Sequence, residues 1–221
     1  MTYILHLETA TKSCSVALSG DGQIISLKES ITEEFSHGEN LTLYIQDVLR
    51  EASIGMEQLN AVSIASGPGS YTGLRIGVST AKGICYALNI PLIAIDALAS
   101  LAYVAKEKYP NHNLCAMIDA RRMEVYCSIY NSSLETLRPI AAEIIDEQSF
   151  NIFEPFVFFG DGAAKAHEIW KGRNCQFDNT VNSSAIGQIN MALEKYQKKE
   201  FEDVAYFEPF YLKDFVSTAK K

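Results

Sequence analysis

Between Ser66 and Gly73 the chain reads Ser-Gly-Pro-Gly-Ser-Tyr-Thr-Gly, the segment in which backbone and side chains come nearest to a chemical device. Gly67 and Gly69 permit positive φ, and Pro68 fixes its neighbour's geometry. Ser70 and Thr72 stand where they can cap a following helix, so several N–H groups should converge on one spot. Such a spot holds an anion or packs against another backbone. The third glycine comes one place late for G-x-G-x-x-G, and no lysine completes a Walker loop. A second set, Thr9, Thr11 and Ser13 beside Glu8, offers an acid and hydroxyls to a phosphate but no glycine. Thr9, Thr11, Ser70 and Thr72 are therefore the candidate nucleotide or anion contacts, against a plain hairpin-turn role for the threonines.

Other chemistry is thinly supported. His6, His37, His112 and His167 lie far apart, with no i, i+4 pair that would bring two imidazoles to one ion. His37 with Glu39 suits a helix start better than an acid–base couple. No G-x-S-x-G announces a serine nucleophile. The five cysteines are scattered, form no C-x-x-C and lack activating neighbours, so they read as reduced thiols of a cytoplasmic protein.

The net charge of −8 opposes unaided binding of a phosphate backbone, and the basic clusters Arg121-Arg122, Lys198-Lys199 and Lys220-Lys221 are short. The most apolar stretch, 84–105, is broken by Asn89, Pro91, Asp96 and Ser100 and is no membrane span. The start, Met1-Thr2-Tyr3-Ile4, leads straight into a strand without the marks of a signal peptide.

The elements that must position these residues follow from periodicity. Strand-like runs at 3–9, 13–19 and 23–29 precede a helix at 37–52, a buried strand at 61–65, a helix at 73–88, a strand at 92–95 and a helix at 97–108. The second half begins alike, with strands at 114–119, 124–130 and 137–145. A short helix at 146–153, a strand at 156–159, a helix at 163–171, a weak strand near Gln176 and a helix at 183–199 follow, before an extended segment at 207–212. The order predicts an α/β chain of two lobes, 1–108 and 109–221, each a βββαβα unit of the actin-like ATPase and sugar-kinase superfold, with the last 15 or so residues returning to the first lobe. On the helix after the glycine turn, Gly73, Gly77 and Ala81 recur every four residues. Two glycines inside a helix cost roughly 1 kcal/mol each relative to alanine, which close approach of another element would offset. That element is either this chain's own sheet or a second subunit.

Ile4-Leu5-His6-Leu7-Glu8-Thr9, the run from Ala65 to Gly77, Ala81-Lys82-Gly83, Asp119 to Tyr126 and Pro209-Phe210-Tyr211-Leu212 together resemble the bacterial TsaB (YeaZ) family across nearly the whole chain. The resemblance implies a part in making threonylcarbamoyladenosine beside the anticodon of tRNAs that read codons starting with A. TsaC makes threonylcarbamoyl-AMP, TsaD transfers the group to tRNA with TsaB as obligatory partner, and TsaE is an ATPase. The two metal-binding histidines of TsaD, laid over this chain, fall at Ala97 and Leu101, which cannot bind a metal.

The resemblance thus implies a non-catalytic partner of TsaD, with no cofactor bound by the isolated chain and ATP or ADP held only at the boundary of the complex. Leu41, Tyr44, Ile45 and Val48 of one helix and Gly73, Arg75, Gly77 and Ala81 of the next are expected to form the exposed face that pairs with TsaD, or with a second copy. TsaE and tRNA are reached through that complex. The rival expectation is a metallopeptidase or kinase-like ATPase acting alone. Of Asp119, Arg121, Glu124 and Tyr126, the first two are expected to form a turn salt bridge and the last two to share a strand face, with contact to tRNA or a partner as the other use.

Overall fold

The computed structural model describes residues 1–31 and 37–213, with the side chain of His37 outside them, so the His37–Glu39 pair is not described. Two five-stranded sheets repeat one plan. In the first, β1 (Tyr3–Glu8), β2 (Ser13–Gly20) and β3 (Gln23–Ile31) form an antiparallel meander. β4 (Ala61–Gly67) then joins β1 in parallel and β5 (Leu92–Asp96) joins β4, giving the order β3-β2-β1-β4-β5. In the second, β6 (Asn113–Asp119), β7 (Glu124–Tyr130) and β8 (Thr136–Ile144) are the meander, with β9 (Phe156–Phe159) and β10 (Cys175–Asp178) added in parallel. Both sheets therefore place their strands as third, second, first, fourth, fifth, the doubled unit expected from element order.

The helices are set by where their apolar faces find cover. In α1 (His37–Ala52), Leu41, Ile45, Val48 and Leu49 point at the first sheet. In α2 (Tyr71–Leu88), Leu74, Val78, Ala81 and Cys85 form a period-3.6 stripe that is buried. α3 (Ala97–Lys108), capped by Asp96 Oδ1 accepting from the Ala99 amide at 2.8 Å, lies between the sheets. Its Leu98, Leu101 and Ala105 share one core with Ala65 and Leu74 of the first half and Leu114, Val157 and Phe159 of the second. α5 (Ile189–Lys198) comes from the end of the chain yet covers the first sheet, with Ala192 against Ile4, Ala61, Ile93 and Ile95. No helix among the described residues is long and apolar enough to cross a membrane.

Three expected helices are shorter than their periodicity suggested. The 146–153 segment keeps only a 3-10 turn, Asn151–Phe153. The 163–171 segment keeps one α-turn, α4 (Ala164–His167), before the chain swings Trp170 into Phe150, Phe156 and Phe158, with ring centroids 4.9–5.7 Å apart. Trp170 also donates its indole N–H to the Asp146 carbonyl at 2.9 Å, so aromatic packing overrides helix continuation there. The 183–199 segment splits into a 3-10 turn, Ala185–Gln188, and α5. The break lets Gly187 lie against the Ser100 carbonyl and sends Gln188 inward, where it bonds Leu7 O and Ser63 Oγ, both at 2.7 Å.

Candidate functional site

The glycine turn is closed by backbone. Gly69 lies flat on the Ala10 carbonyl, which accepts the Ser70 amide at 2.7 Å, and a Cβ at Gly69 would collide with that carbonyl. Gly67, at φ +109°, faces Phe210 O, and the Phe210 amide bonds Ser66 O at 2.8 Å. Ser70 caps α2 by accepting from the Gly73 amide at 3.3 Å. Of the two uses open to the turn, packing against other backbone is realised through the first hairpin on one side and the closing segment on the other. Thr72 is exposed on the first turn of α2.

The first hairpin places its hydroxyls inward. Thr9 is fully buried, and its Oγ1 sits where a side chain at Gly77 would go. Thr11 Oγ1 accepts from the Ser13 amide at 3.2 Å, a local turn bond. The buried Glu8 carboxyl takes the Ala10 amide at 2.7 Å through Oε1, while Oε2 finds no partner in hydrogen-bond geometry among the described residues. Burial pushes its pKa up to about 7 against the partial relief of the Ala10 bond. His6, also fully buried, lies between Ser63 Oγ and Ser19 Oγ, each at 2.7 Å, and burial lowers its pKa to about 3. It is a neutral core histidine, locked with Gln188 through Ser63.

The face predicted for a partner must be corrected. Leu41, Ile45 and Val48 are at most 2% exposed and belong to the core on the first sheet. Tyr44 is half-buried at its edge. Gly73, Gly77 and Ala81 are buried too, and a Cβ at Gly77 would meet Thr9 Oγ1 and lie 2.9 Å from Ile64 Cδ1. The bare stripe seats α2 on its own sheet. Arg75 alone of that set is exposed; it stacks over Tyr71 at 4.1 Å and donates Nε–H to Tyr211 Oη at 3.3 Å, tying the closing segment to α2. Lys82 Nζ reinforces the tie by donating to the carbonyls of Ala205 and Phe207 at 3.2 and 3.0 Å.

A different stripe of the same helix faces outward. Thr72, Ser79, Gly83 and Tyr86 are exposed, Ile76 and Thr80 half-buried, and a Cβ at Gly83 would meet nothing within 4 Å. On α1 the exposed Leu43 and Thr42 lie on the outer side as well. Sequence reading followed the most conspicuous glycines and so took the buried side of α2 for the exposed one. The signal against them was the interleaved Leu74, Val78 and Cys85, which share their side of the helix.

The second hairpin also departs from expectation. Asp119 pairs with Lys165 at 2.7 Å and accepts the Arg121 amide at 2.5 Å; the Arg121 guanidinium is not in that pair. Lys165 Nζ also bonds Glu124 O at 2.7 Å, and Glu124 pairs with Lys213 of the closing segment. Tyr126 is buried, while Glu124 is half-buried. Ala97 and Leu101, over which the resemblance laid the TsaD histidines, are fully buried apolar residues on α3. Among the described residues no group of three or more His, Cys, Asp or Glu is placed to hold a metal.

Comparison with known proteins places this geometry. A family model described as "TsaD: tRNA N6-adenosine threonylcarbamoyltransferase" matches residues 32–216. The tRNA threonylcarbamoyladenosine biosynthesis protein TsaB of Escherichia coli is 29% identical over 98% of this chain and 97% of its own. The structure of YeaZ from Pseudomonas aeruginosa superposes with a TM-score of 0.83 at 25% identity, over 96% of this chain and all of that one. The ADPNP-bound activator of the 2-hydroxyisocaproyl-CoA dehydratase from Clostridium difficile, at 10% identity and a TM-score of 0.52 over 91% of this chain and 99% of its own, shares the fold alone. The likeness to TsaB runs end to end in sequence and in three dimensions, and on that ground the chain belongs to the TsaB (YeaZ) family, within the broader group that the TsaD model describes.

Proposed function

We propose that this chain is a non-catalytic partner of TsaD in forming threonylcarbamoyladenosine at the adenosine next to the anticodon of tRNAs that read codons starting with A, and that it acts in the cytoplasm. The observation that carries the reading is the outer face of α1 and α2. Ile76, Thr80 and Gly83 lie along one side of α2 with open space over Gly83, flanked by the exposed Leu43 and Tyr86. A facing helix can approach closely where side chains are small, and a two-helix face can bury more than about 1,000 Å², enough for a specific complex. The same face serves a second copy of this chain when TsaD is absent.

The absence of catalysis is supported by the apolar burial of Ala97 and Leu101, and by a glycine turn filled with backbone from Ala10 and Phe210. Metal and nucleotide are then held by the complex rather than by this chain, and TsaE and tRNA reach it through TsaD. Binding energy between the two acts indirectly, by favouring the competent state of TsaD.

Reconstitution tests the proposal. Threonylcarbamoylation of tRNA by TsaC, TsaD and TsaE is expected only when this chain is added. Full modification without it, or stoichiometric metal or ATP-Mg²⁺ binding with turnover by the chain alone, would contradict the reading.

A further inference from the structure

The turn joining β6 and β7 lies outside the α1–α2 face proposed above for TsaD. Arg121 and Arg122 are adjacent, exposed and both at positive φ, +66° and +53°, a conformation L side chains rarely hold. The turn is fixed from below by Asp119 Oδ1 on the Arg121 amide and by the Glu124 amide on Arg121 O at 3.3 Å. Two consecutive arginines thereby occupy the tip of a hairpin. Among the described residues neither guanidinium has a hydrogen bond or ion pair.

The surroundings explain why the arginines stay unpaired. Each nearby carboxylate already has a cation or an amide: Asp119 holds Lys165, Glu124 holds Lys213, and Asp161 takes the Asp119 amide at 2.9 Å with the Lys12 charge acting on it from the first hairpin. Lys12, Lys165 and Lys213 thus engage the three acids, and Arg121 and Arg122 follow in the turn after Asp119. A chain of net charge −8 presents here a local cationic rim. Guanidiniums present planar donor forks that match phosphate oxygens, and an exposed pair whose neighbouring carboxylates are already engaged is arranged for an anion brought from outside.

We propose that Arg121 and Arg122 contact the phosphodiester backbone of RNA, so that this chain supplies part of the tRNA-binding surface beside its partner. The inference rests on the reading that the chain works with TsaD on tRNA. The contact is one of position and not of sequence, since phosphate contacts carry no base information.

The test is tRNA binding by the full chain with TsaD, by fluorescence anisotropy between 0.05 and about 0.3 M salt, for wild type and Arg121→Ala/Arg122→Ala. Two lost phosphate contacts should lower the slope of log K against log salt by about 1.4 to 1.8 and weaken binding roughly 25- to 60-fold at 0.1 M salt. Arg121→Lys/Arg122→Lys, which keeps the point charges, should recover most of the slope. Equal affinity and slope in wild type and the alanine variant would overturn the inference. So would a variant that loses TsaD on a sizing column, which would assign the arginines to the protein interface, or one that loses only ATP-Mg²⁺ binding by calorimetry. If the wild-type chain itself fails to pair with TsaD, the proposed function falls separately; the same salt series on the full chain alone then decides, a smaller slope in the alanine variant supporting the contact and an unchanged slope refuting it.

Discussion

Replacing Glu8 by glutamine should expose a balance between two buried ionisable groups. His6 is held neutral, its pKa lowered from 6.5 to about 3 by burial, so an unfolded chain binds a proton there that the folded one refuses between those values. That difference makes stability rise with pH across the window from 3 to 6.5. Glu8 acts in the opposite sense. Burial raises its pKa from 4.5 to about 7, so the folded state holds the extra proton and stability falls as pH climbs from 4.5 through 7. Between pH 4.5 and 6.5 the two slopes cancel, and these residues together leave wild-type stability nearly flat. Glu8→Gln keeps an acceptor for the Ala10 amide and removes the opposing slope. At about 1.4 kcal/mol per pH unit, the gap between 4.5 and about 7 is worth about 3 kcal/mol. Urea unfolding of both proteins at pH 4.5, 5.5, 6.5 and 7.5 measures it. The variant's stability relative to wild type should climb by that amount and level off above pH 7. A difference that stays constant over the whole range would refute the reasoning, because it would mean that the Glu8 carboxyl titrates in the fold as it does in water.

Two further changes test what holds the sheets. Gly77→Leu forces a side chain into Thr9 Oγ1 and Ile64 Cδ1, so it should destabilise the isolated chain by about 3 kcal/mol and lower the melting temperature by roughly 6–12 °C in differential scanning calorimetry; an unchanged melt would return the stripe to the surface. Burial alone would raise the pKa of Asp178, but Lys108 Nζ at 2.6 Å, Tyr109 Oη at 2.7 Å and Thr180 outweigh it and hold the carboxyl well below the usual range. Asp178→Asn should therefore cost about 2 kcal/mol near pH 7, with the difference from wild type shrinking as pH falls below 3.8, as read by chemical denaturation.

The doubled βββαβα order was legible because each strand run is bounded by turn residues and each helix has a periodic apolar face. The helices that shortened were those in which one side chain outweighed the period: Trp170 turning into an aromatic cluster, Gln188 turning into the polar seam under β1. The candidate site was less legible. Gly73, Gly77 and Ala81 announce close approach, but a glycine does not say from which side. Only the position of Thr9 and Ile64 beneath Gly77 assigns that approach to the chain's own sheet. Likewise Asp119 and Arg121 are adjacent enough in sequence to suggest each other as partners, while the ion pair is made by Lys165, forty-six residues away. Long-range pairing of this kind leaves no local mark.

The account depends most on the outer side of α2 being where a partner sits. Gly83→Leu adds a side chain where nothing lies within 4 Å and improves helix propensity, so the isolated variant should fold and melt at least as well as wild type. Light scattering after mixing with TsaD is the direct measurement. Wild type should elute as a heterodimer and the variant as separate chains. A variant that still forms the heterodimer at micromolar concentration would place the partner elsewhere on the molecule.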